Sequence, residues 1–268
     1  PLHTPEQLQR NFGTADKVAI VDAASRYQHN ARLLVNMPTA DSQQRIIPKP
    51  QQAEFSKGQV ELTSQWVLVF SGRLTAEAKY LQQQFKQYDM SLQQLNANSK
   101  PQQPTLTLSV DSQQIQGSES YQLIIGDNAI SIVGADNAGV FYGIQSLLAL
   151  AQPAQHALQL PKSRISDAPR AAWRGMHYDM ARNFHVKEVT LRLIDNMARY
   201  KLNKLHLHLT EDEGWRLQIP GLPELTDIGA NRCFDLIEQR CLLTQLGTGP
   251  HPSGSGNGYY STADFIEI

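Results

Sequence analysis

The 268-residue chain carries 24 basic and 25 acidic side chains, and hydrophobic residues make up 41 % of it. This length leaves room for about two domains of ordinary size, and the composition supports a packed core rather than a disordered chain. The net charge of −1 argues against a nucleic-acid-binding surface or a basic membrane patch. No apolar run reaches roughly 18 residues, so no transmembrane segment is expected. The polar stretch 2–16 lacks the apolar centre of a signal peptide.

Residues 1–45 are a polar approach with one short apolar run, 17–21, followed by a predicted loop. This is too little sequence to bury its own core, so it is predicted to be a linker or the tail of a preceding domain. The segment 45–50 contains two prolines, which keep neighbouring residues out of the helical region. It is therefore predicted to be an extended strand that enters the next unit.

Residues 46–165 are predicted to form a small α+β domain with its helices on one face of a sheet. The expected elements are a strand at 65–70, a helix at 75–88 capped by Thr75, a strand at 104–110, a hairpin of strands 121–125 and 129–133, and a helix capped by Asn137. The domain holds no cluster of histidine, cysteine or acidic residues, so no chemistry is predicted there. Residues 161–169, which begin and end with proline, are predicted to be the hinge into the last unit.

Residues 166–268 contain the stretch around which the chain is organised, 173–216. A strand is predicted at 173–180, a helix with one apolar face at 187–200 and a second strand at 204–209. Charged residues follow each strand. This layout predicts a βα-barrel with its active site at the C-terminal strand ends, so the unit is interpreted as the first part of a (β/α)8 TIM barrel.

Two later segments extend this interpretation. The glycine-rich tract 247–258 lacks the Lys-Ser/Thr ending of a phosphate loop and is predicted to be a flexible border of the active site. Ser261 and Asp264 predict a capping box at the start of a further helix. Because that helix has only begun at Ile268, the chain is expected to be a truncated or cleaved form of a longer protein.

Two pairs of polar residues lie at or near the strand ends. Asp179 and Arg182 follow the first strand, where a guanidinium could bind substrate oxygens or form a structural ion pair at the barrel rim. Both interpretations remain open at this point. His206 and His208 alternate with leucines and so face one side of the second strand, as in a metal-dependent hydrolase. A pair of hydrogen-bonded interior histidines is favoured over a metal site because no third ligand is evident.

The sharpest acidic cluster is Glu211-Asp212-Glu213, directly after the second strand. Adjacent carboxylates are expected to raise each other's pKa and to suit acid/base work or hydroxyl binding, although a solvated acidic loop has the same sequence. The only cysteines are Cys233 and Cys241. Their spacing leaves a local disulfide and two free thiols equally open, and the absence of a Cys-x-x-Cys motif argues against zinc.

The runs 175–185 (GMHYDMARNFH) and 201–216 (KLNKLHLHLTEDEGWR) resemble the opening of the barrel in family 20 glycoside hydrolases, in particular the chitobiase branch of β-N-acetylhexosaminidases. Residues 46–50 and 121–150 resemble the small α+β domain that precedes that barrel. Residues 219–229, the cysteine spacing and residues 256–262 are similar to the chitobiase branch. The resemblance covers nearly all of 46–268, and it implies that residues 1–45 end an upstream carbohydrate-binding-like domain.

The resemblance also implies roles for individual residues. Arg182 and Asp212 match residues that bind hydroxyls of the terminal sugar. The residues implied to support them are Asp179, Glu211, His208 and Trp215. Glu211 departs from the family, which usually has Asp there to pair with a histidine of a later strand; the additional methylene shifts the carboxylate by about one bond length. A Cys233–Cys241 disulfide and an oxidising compartment are implied as well.

The implied activity is that of an exo-β-N-acetylhexosaminidase that removes terminal β-linked GlcNAc from chitobiose or other chitooligosaccharides, without cofactor or metal. The family uses a retaining, substrate-assisted mechanism in which the 2-acetamido oxygen attacks the anomeric carbon. The Asp-Glu pair that assists it is expected downstream of Ile268, so no catalytic residue is expected in this chain and the fragment alone is expected to be inactive. The implied location is the periplasm or outer membrane of a Gram-negative bacterium.

Two other function classes remain at this stage. A metal-dependent barrel hydrolase would use His206 and His208 as ligands, and it predicts bound metal and inhibition by a chelator. A non-catalytic sugar-binding protein predicts affinity for GlcNAc without cleavage. An Asp-Glu pair after two further βα units would decide for the glycosidase.

Overall fold

The structure is a computed structural model that describes residues 23–34, 45–243 and 256–268. The chain divides into two units, Pro1–Gln44 and Arg45–Ile268. Of the first unit only helix α1 (Ala23–Leu34) is described. A loop was expected there, and this prediction is wrong because alanine, leucine and arginine in the segment favour helix. None of the described helices is long and apolar enough to cross a membrane.

A mixed sheet dominates the N-terminal part of the second unit. Its strands are β1 (Gln52–Thr63), β2 (Val67–Phe70), β3 (Gln93–Asn96), β4 (Thr105–Val110), β5 (Tyr121–Ile125), β6 (Ala129–Gly134), β7 (Gln152–Ala154) and β8 (Ala157–Asp167). Within the described residues the order is β1-β8-β5-β6-β4-β2-β3, with β7 also on β8. Pairing is parallel from β6 to β3 and antiparallel elsewhere. The predicted hairpin of β5 and β6 is confirmed.

Two helices cover this sheet, α2 (Thr75–Lys86) and α3 (Asn137–Leu150). They contact each other, and both contribute to one core with the strands. The side chains buried between these layers include Leu81, Phe85, Leu106, Leu123, Ile132 and Ile144. Gly143 lets α3 lie close to the sheet, because a Cβ atom there would stand 2.4 Å from Cγ2 of Ile132.

Both predicted helix caps are displaced by one residue. The N-cap of α2 is Leu74, while Thr75 is already helical and its hydroxyl donates to the carbonyl of Gly72 at 2.8 Å. Asp136 caps α3, and its carboxylate accepts from the backbone N–H of Gly139 at 2.8 Å. A charged acceptor at the N-cap satisfies an unpaired amide of the first turn, so Asp136 rather than its neighbour Asn137 takes this position.

Two sheet segments differ from the expectation. Residues 45–50 form no strand and contain bends at 46–48, and strand β1 begins at Gln52. The predicted hinge at 161–169 is also wrong up to Asp167, because β8 continues through it. Proline is tolerated at a ladder irregularity, and Pro161 pairs with Gln59 where the β1–β8 register shifts. Strand β1 was missed because most of its side chains are exposed and polar.

The C-terminal part contains the predicted strand, helix and strand. Strands β9 (Gly175–Asp179) and β10 (Lys204–His208) pair in parallel, and α4 (Lys187–Arg199) connects them. The remaining elements are short: β11 (Thr210–Glu211), β12 (Gly214–Trp215), α5 (Glu224–Asp227), β13 (Arg232–Cys233), β14 (Leu242–Leu243) and α6 (Thr262–Glu267). The capping box of Ser261 and Asp264 at the start of α6 is confirmed. Most of the glycine-rich tract, 247–255, lies outside the described residues.

A buried polar network joins this βα unit to the large sheet. The ammonium group of Lys201, in the turn after α4, donates to the Tyr121 hydroxyl at 2.8 Å and to Asp167 at 3.0 Å. The same hydroxyl lies 2.6 Å from the hydroxyl of Ser146. Burial lowers the pKa of Lys201 below its ordinary value although Asp167 acts in the opposite direction. The network therefore holds a charge that depends on Asp167 as its counter-ion.

We predict that Asp167→Asn lowers the free energy of unfolding by about 3 kcal/mol, because it leaves the buried Lys201 ammonium without a counter-ion. A matched control is Asp127→Asn, which breaks the ion pair between the exposed Asp127, in the turn from β5 to β6, and Lys162 of β8. That control is expected to cost less than about 1 kcal/mol. Urea denaturation of both variants tests the prediction, and equal losses would contradict it.

Candidate functional site

Polar residues converge where the parallel strands β9 and β10 end at one edge. Asp179 and His208 are register partners on the two strands. Arg182 follows β9, and its guanidinium binds three carboxylates. Nη1 lies 3.0 Å from Asp179, Nη2 3.0 Å from Glu211 and Nε 2.9 Å from Glu213. The planar fork of an arginine is suited to such multiple carboxylate contacts.

The charges of this cluster reinforce one another. Partial burial lowers the pKa of Arg182, but Asp179, Glu211 and Glu213 outweigh this effect and the net shift is upward. Burial likewise raises the pKa of Asp179, whereas hydrogen bonds from Arg182 outweigh it and bring the pKa below its ordinary value. At neutral pH Asp179 is therefore an anion and Arg182 a cation.

The histidines lie beside this cluster. Nε2 of His208 is 3.2 Å from Nη1 of Arg182 and 3.4 Å from Oε1 of Glu211. His206 and His208 both contact the ring of His177, at centroid distances of 4.8 and 5.6 Å, so they share a face as predicted. Within residues 23–34, 45–243 and 256–268, no group of three or more His, Cys, Asp or Glu side chains is arranged to hold a metal ion.

Asp212 differs from its acidic neighbours because it is exposed. Its pKa is lowered, first by the side-chain interaction with Glu211, then by a hydrogen bond from its own backbone N–H, and in part by the charge of Arg182. The expectation that adjacent carboxylates raise each other's pKa is therefore wrong for Asp212. Its carboxylate lies next to the Arg182 cluster, and no ion pair to it is formed within the described part of the chain.

Trp215 lies on an open cleft of about 500 Å³ that Glu211 and Asp212 also line. The other lining residues are Glu224, Leu225, Ile228, Gly229, Glu238 and Leu242. The backbone N–H of Trp215 donates to the carbonyl of Gly229 at 2.8 Å, and its indole N–H donates to the carbonyl of Leu217. The indole is thus fixed by the backbone beside the two acidic residues.

The implied disulfide between Cys233 and Cys241 is present in the structure and closes the loop between β13 and β14. Asp235 organises this loop, because its carboxylate accepts from the backbone N–H of Arg240 at 3.1 Å. Three apolar side chains of the loop point into solvent: Phe234, Leu236 and Ile237. Glu238 and Leu242 place the loop along the cleft.

Three residues of the site were not assigned from the sequence. Glu213 was considered only as a member of the acidic cluster and not assigned as a site residue of its own, and it is the buried partner of the Arg182 Nε. Arg216 and Arg232 are buried beneath the cluster. The only available signal for Glu213 was its adjacency to the acidic pair. The two arginines stand in no recurrent spacing, so no sequence pattern indicated them.

We predict that Gly214→Ala destabilises the fold by about 1–3 kcal/mol, the usual range for an overpacked interior. A Cβ atom at this glycine would lie 2.4 Å from Nη2 of Arg216 and 2.7 Å from the carbonyl oxygen of Ala181. Gly72→Ala is the control, because a Cβ atom there meets nothing within 4 Å. Thermal and urea unfolding compare the two variants. An equally small effect of both would show that the arginine can move aside.

Comparison with known proteins gives the same family for both parts of the second unit. The model of glycosyl hydrolase family 20, domain 2, matches residues 43–168, and that of the family 20 catalytic domain matches residues 172–268. The N,N'-diacetylchitobiase of Vibrio harveyi is 40 % identical over 94 % of this chain and 28 % of its own length. The beta-hexosaminidase B of Pseudoalteromonas piscicida is 42 % identical over 100 % of this chain and 33 % of its own.

Solved structures agree. The exo beta-N-acetylglucosaminidase of Vibrio harveyi in complex with N-acetylglucosamine has a TM-score of 0.70 and is 28 % identical, covering 84 % of this chain and 33 % of that one. The beta-N-acetylhexosaminidase of Streptomyces coelicolor has a TM-score of 0.64 at 26 % identity, covering 84 % of this chain and 43 % of its own. The chain spans about a third of the length of the curated relatives it matches. It belongs to glycosyl hydrolase family 20.

Proposed function

We propose that the protein acts as an exo-β-N-acetylhexosaminidase that removes terminal β-linked GlcNAc from chitobiose and longer chitooligosaccharides. The observation that carries this proposal is the Arg182 cluster at the joint end of β9 and β10. The names of the relatives support it, since they include a diacetylchitobiase and an enzyme solved with N-acetylglucosamine. Whole-protein activity rests on these two supports together.

The proposed architecture is a (β/α)8 barrel that begins with β9, α4 and β10. The proposed domains are 46–165 for the supporting α+β domain, 166–268 for the start of the barrel and 1–45 for the end of an upstream carbohydrate-binding-like domain. In such barrels the active site is built at the C-terminal strand ends. Arg182, Glu211 and Asp212 all lie at or just beyond those ends.

In the proposed site, Arg182 and Asp212 bind hydroxyls of the non-reducing sugar. A hydroxyl both accepts and donates, so it can accept from a guanidinium while donating to a carboxylate. Arg182 is still 32 % exposed at its side chain, and Glu211 is 29 % exposed. A sugar can therefore reach this ion pair and replace or extend it. Asp179 and His208 support Arg182 by direct contact, and Trp215 lies beside Asp212 on the open cleft.

Proton transfer needs groups that these residues do not offer. The sequence has one adjacent Asp-Glu pair, Asp212-Glu213, and no Gly-Gly-Asp-Glu-like motif. Glu213 is buried and accepts from Nε of Arg182, so its carboxylate is committed to the cation. We propose that a further Asp orients the acetamido group and a further Glu protonates the leaving oxygen, both downstream of Ile268. The 268 residues alone are then inactive.

The proposed location is the periplasm or the outer membrane of a Gram-negative bacterium. The disulfide between Cys233 and Cys241 supports export, because structural disulfides persist in oxidising compartments. No cofactor is assigned a role in this reaction. The implied partners are GlcNAc-terminated oligosaccharides and the remainder of the polypeptide.

The activity test compares two proteins on a chromogenic β-GlcNAc glycoside. A complete polypeptide that adds the remaining barrel is expected to hydrolyse the substrate, and the 268-residue chain is expected not to. Absence of hydrolysis by the complete polypeptide would overturn the proposed activity. Turnover by the 268 residues would overturn the downstream placement of the acid.

We also predict that Arg182→Lys in the complete polypeptide lowers kcat/KM by roughly tenfold to a hundredfold, because an ammonium cannot reproduce the forked charge-assisted hydrogen bonds. Arg199→Lys, on the exposed end of α4, is the matched control and is expected to leave kcat/KM unchanged. Steady-state kinetics on the same glycoside decide this. Equal kinetics of both variants would remove Arg182 from the sugar site.

A further inference from the structure

Two buried arginines lie behind the sugar-binding cluster and have no part in the proposed chemistry. Arg216 is 0 % exposed and Arg232 is 1 % exposed, which makes them the largest fully buried side chains of the described chain. A buried guanidinium is costly unless its donors and its charge are satisfied. Their contacts therefore indicate what they are retained for.

Arg216 binds backbone carbonyls on both sides of the cluster. Its Nε donates to Met180 at 3.1 Å and to Ala181 at 3.2 Å, and its Nη2 donates to Ala181 at 2.8 Å. Its Nη1 donates to Ala230 at 2.8 Å and to Gly258 at 3.1 Å. Arg216 thus ties the segment directly before Arg182 to two distant loops.

Arg232 approaches the same segment from another element. Its Nη2 donates to the carbonyl of Ala181 at 3.0 Å, and its Nε donates to the carbonyl of Glu213 at 2.8 Å. Two guanidinium groups therefore meet at the carbonyl of Ala181, the residue that precedes Arg182. Arg232 also fixes the backbone of Glu213, and the carboxylate of Glu213 forms the ion pair with Nε of Arg182.

We propose that Arg216 and Arg232 are positioning residues that hold Arg182 and Glu213 in the geometry needed to bind the terminal sugar. This inference rests on the proposed function of Arg182. The position of the Arg182 side chain depends on the backbone at Ala181 and on the carboxylate of Glu213. Arg216 and Arg232 bind the Ala181 carbonyl, and Arg232 also binds the Glu213 carbonyl. Small displacements of a binding group are expensive, because misplacement by about 1 Å can cost a hundredfold in rate.

Charge balance supports the same role. Asp179, Glu211 and Glu213 place three carboxylates around the single cation Arg182. The charge of Arg232 interacts favourably with Glu213 and Asp179, although burial lowers its own pKa. Burial and the nearby Arg232 lower the pKa of Arg216 to about 10, so it too is charged at neutral pH. Arg232 thus adds positive charge beside a cluster in which the carboxylates outnumber Arg182.

Arg232 is itself held rigidly. Its backbone N–H donates to the side-chain oxygen of Asn257 at 3.1 Å. The next residue, Cys233, is joined to Cys241 by the disulfide. The backbone N–H of Leu242 donates to Asn231 at 3.0 Å. A side chain that is to position another one needs such a fixed base.

The test is a double-mutant cycle in the complete polypeptide, with Arg232→Lys and Arg182→Ala singly and together. The dissociation constant of N-acetylglucosamine and the KM of the chromogenic glycoside are measured for each. Arg232→Lys is expected to weaken sugar binding and raise KM by roughly tenfold, with a smaller change in kcat. In the Arg182→Ala background it is expected to add nothing, since a positioning residue acts only through its target.

The control is Arg240→Lys on the same disulfide loop, where the arginine is 77 % exposed, and it is expected to bind sugar normally. Circular dichroism establishes folding. If the lysine variant does not fold, Arg232→Gln is used, and failure of both to fold would overturn the inference in favour of a purely structural role. Two other results would overturn the inference if the parent protein is active. One is normal sugar affinity of a folded Arg232 variant, and the other is an equal loss of sugar affinity with and without Arg182. A parent that neither binds nor cleaves would instead overturn the proposed function.

Discussion

The arrangement of this site depends on the ion pairs between the Arg182 guanidinium and three carboxylates. Nitrogen atoms of one guanidinium are bound to Asp179 at the end of β9 and to Glu211 and Glu213, which follow β10. Such a group forms only if β9 and β10 end at the same edge and in the correct register. The parallel pairing of Asp179 with His208 provides that register.

The ion pairs of Arg182 are also related to features that lie far from it in the sequence. The charge of Arg232 is stabilised by Glu213 and Asp179, and the donors of Arg216 and Arg232 bind backbone carbonyls. Gly214 has no room for a side chain because the guanidinium of Arg216 occupies that space. The disulfide at Cys233 fixes the strand that carries Arg232. The same contacts therefore stabilise the fold and position the site residues in this part of the molecule.

Prediction from the sequence succeeded where a pattern had a period or a local signature. The βα unit, the hairpin at β5 and β6 and the capping box at Ser261 follow from residue spacing alone. Strand β1 was missed because its exposed polar residues give no alternation. The cap of α3 was displaced because Asp136 and Asn137 are both good caps, whereas α2 begins after Leu74 with no side-chain capping hydrogen bond. The meeting of Arg182 with its carboxylates could not be predicted, because it depends on the register of two strands. The positions of Arg216 and Arg232 could not be predicted either, because they depend on contacts between residues distant in sequence.

Glu211 contacts two other residues of the site. Its carboxylate reaches both Nη2 of Arg182 at 3.0 Å and Nε2 of His208 at 3.4 Å, so it links the ends of the site within this segment. Asp212, by contrast, stays exposed and available to a ligand.

A structure of the complete polypeptide with bound N-acetylglucosamine would show whether Arg182 and Asp212 bind the sugar. We expect sugar hydroxyls within hydrogen-bond distance of the Arg182 guanidinium and the Asp212 carboxylate, with the Ala181 carbonyl still bound by Arg216 and Arg232. A sugar bound elsewhere, with Arg182 fully enclosed by its carboxylates, would contradict it.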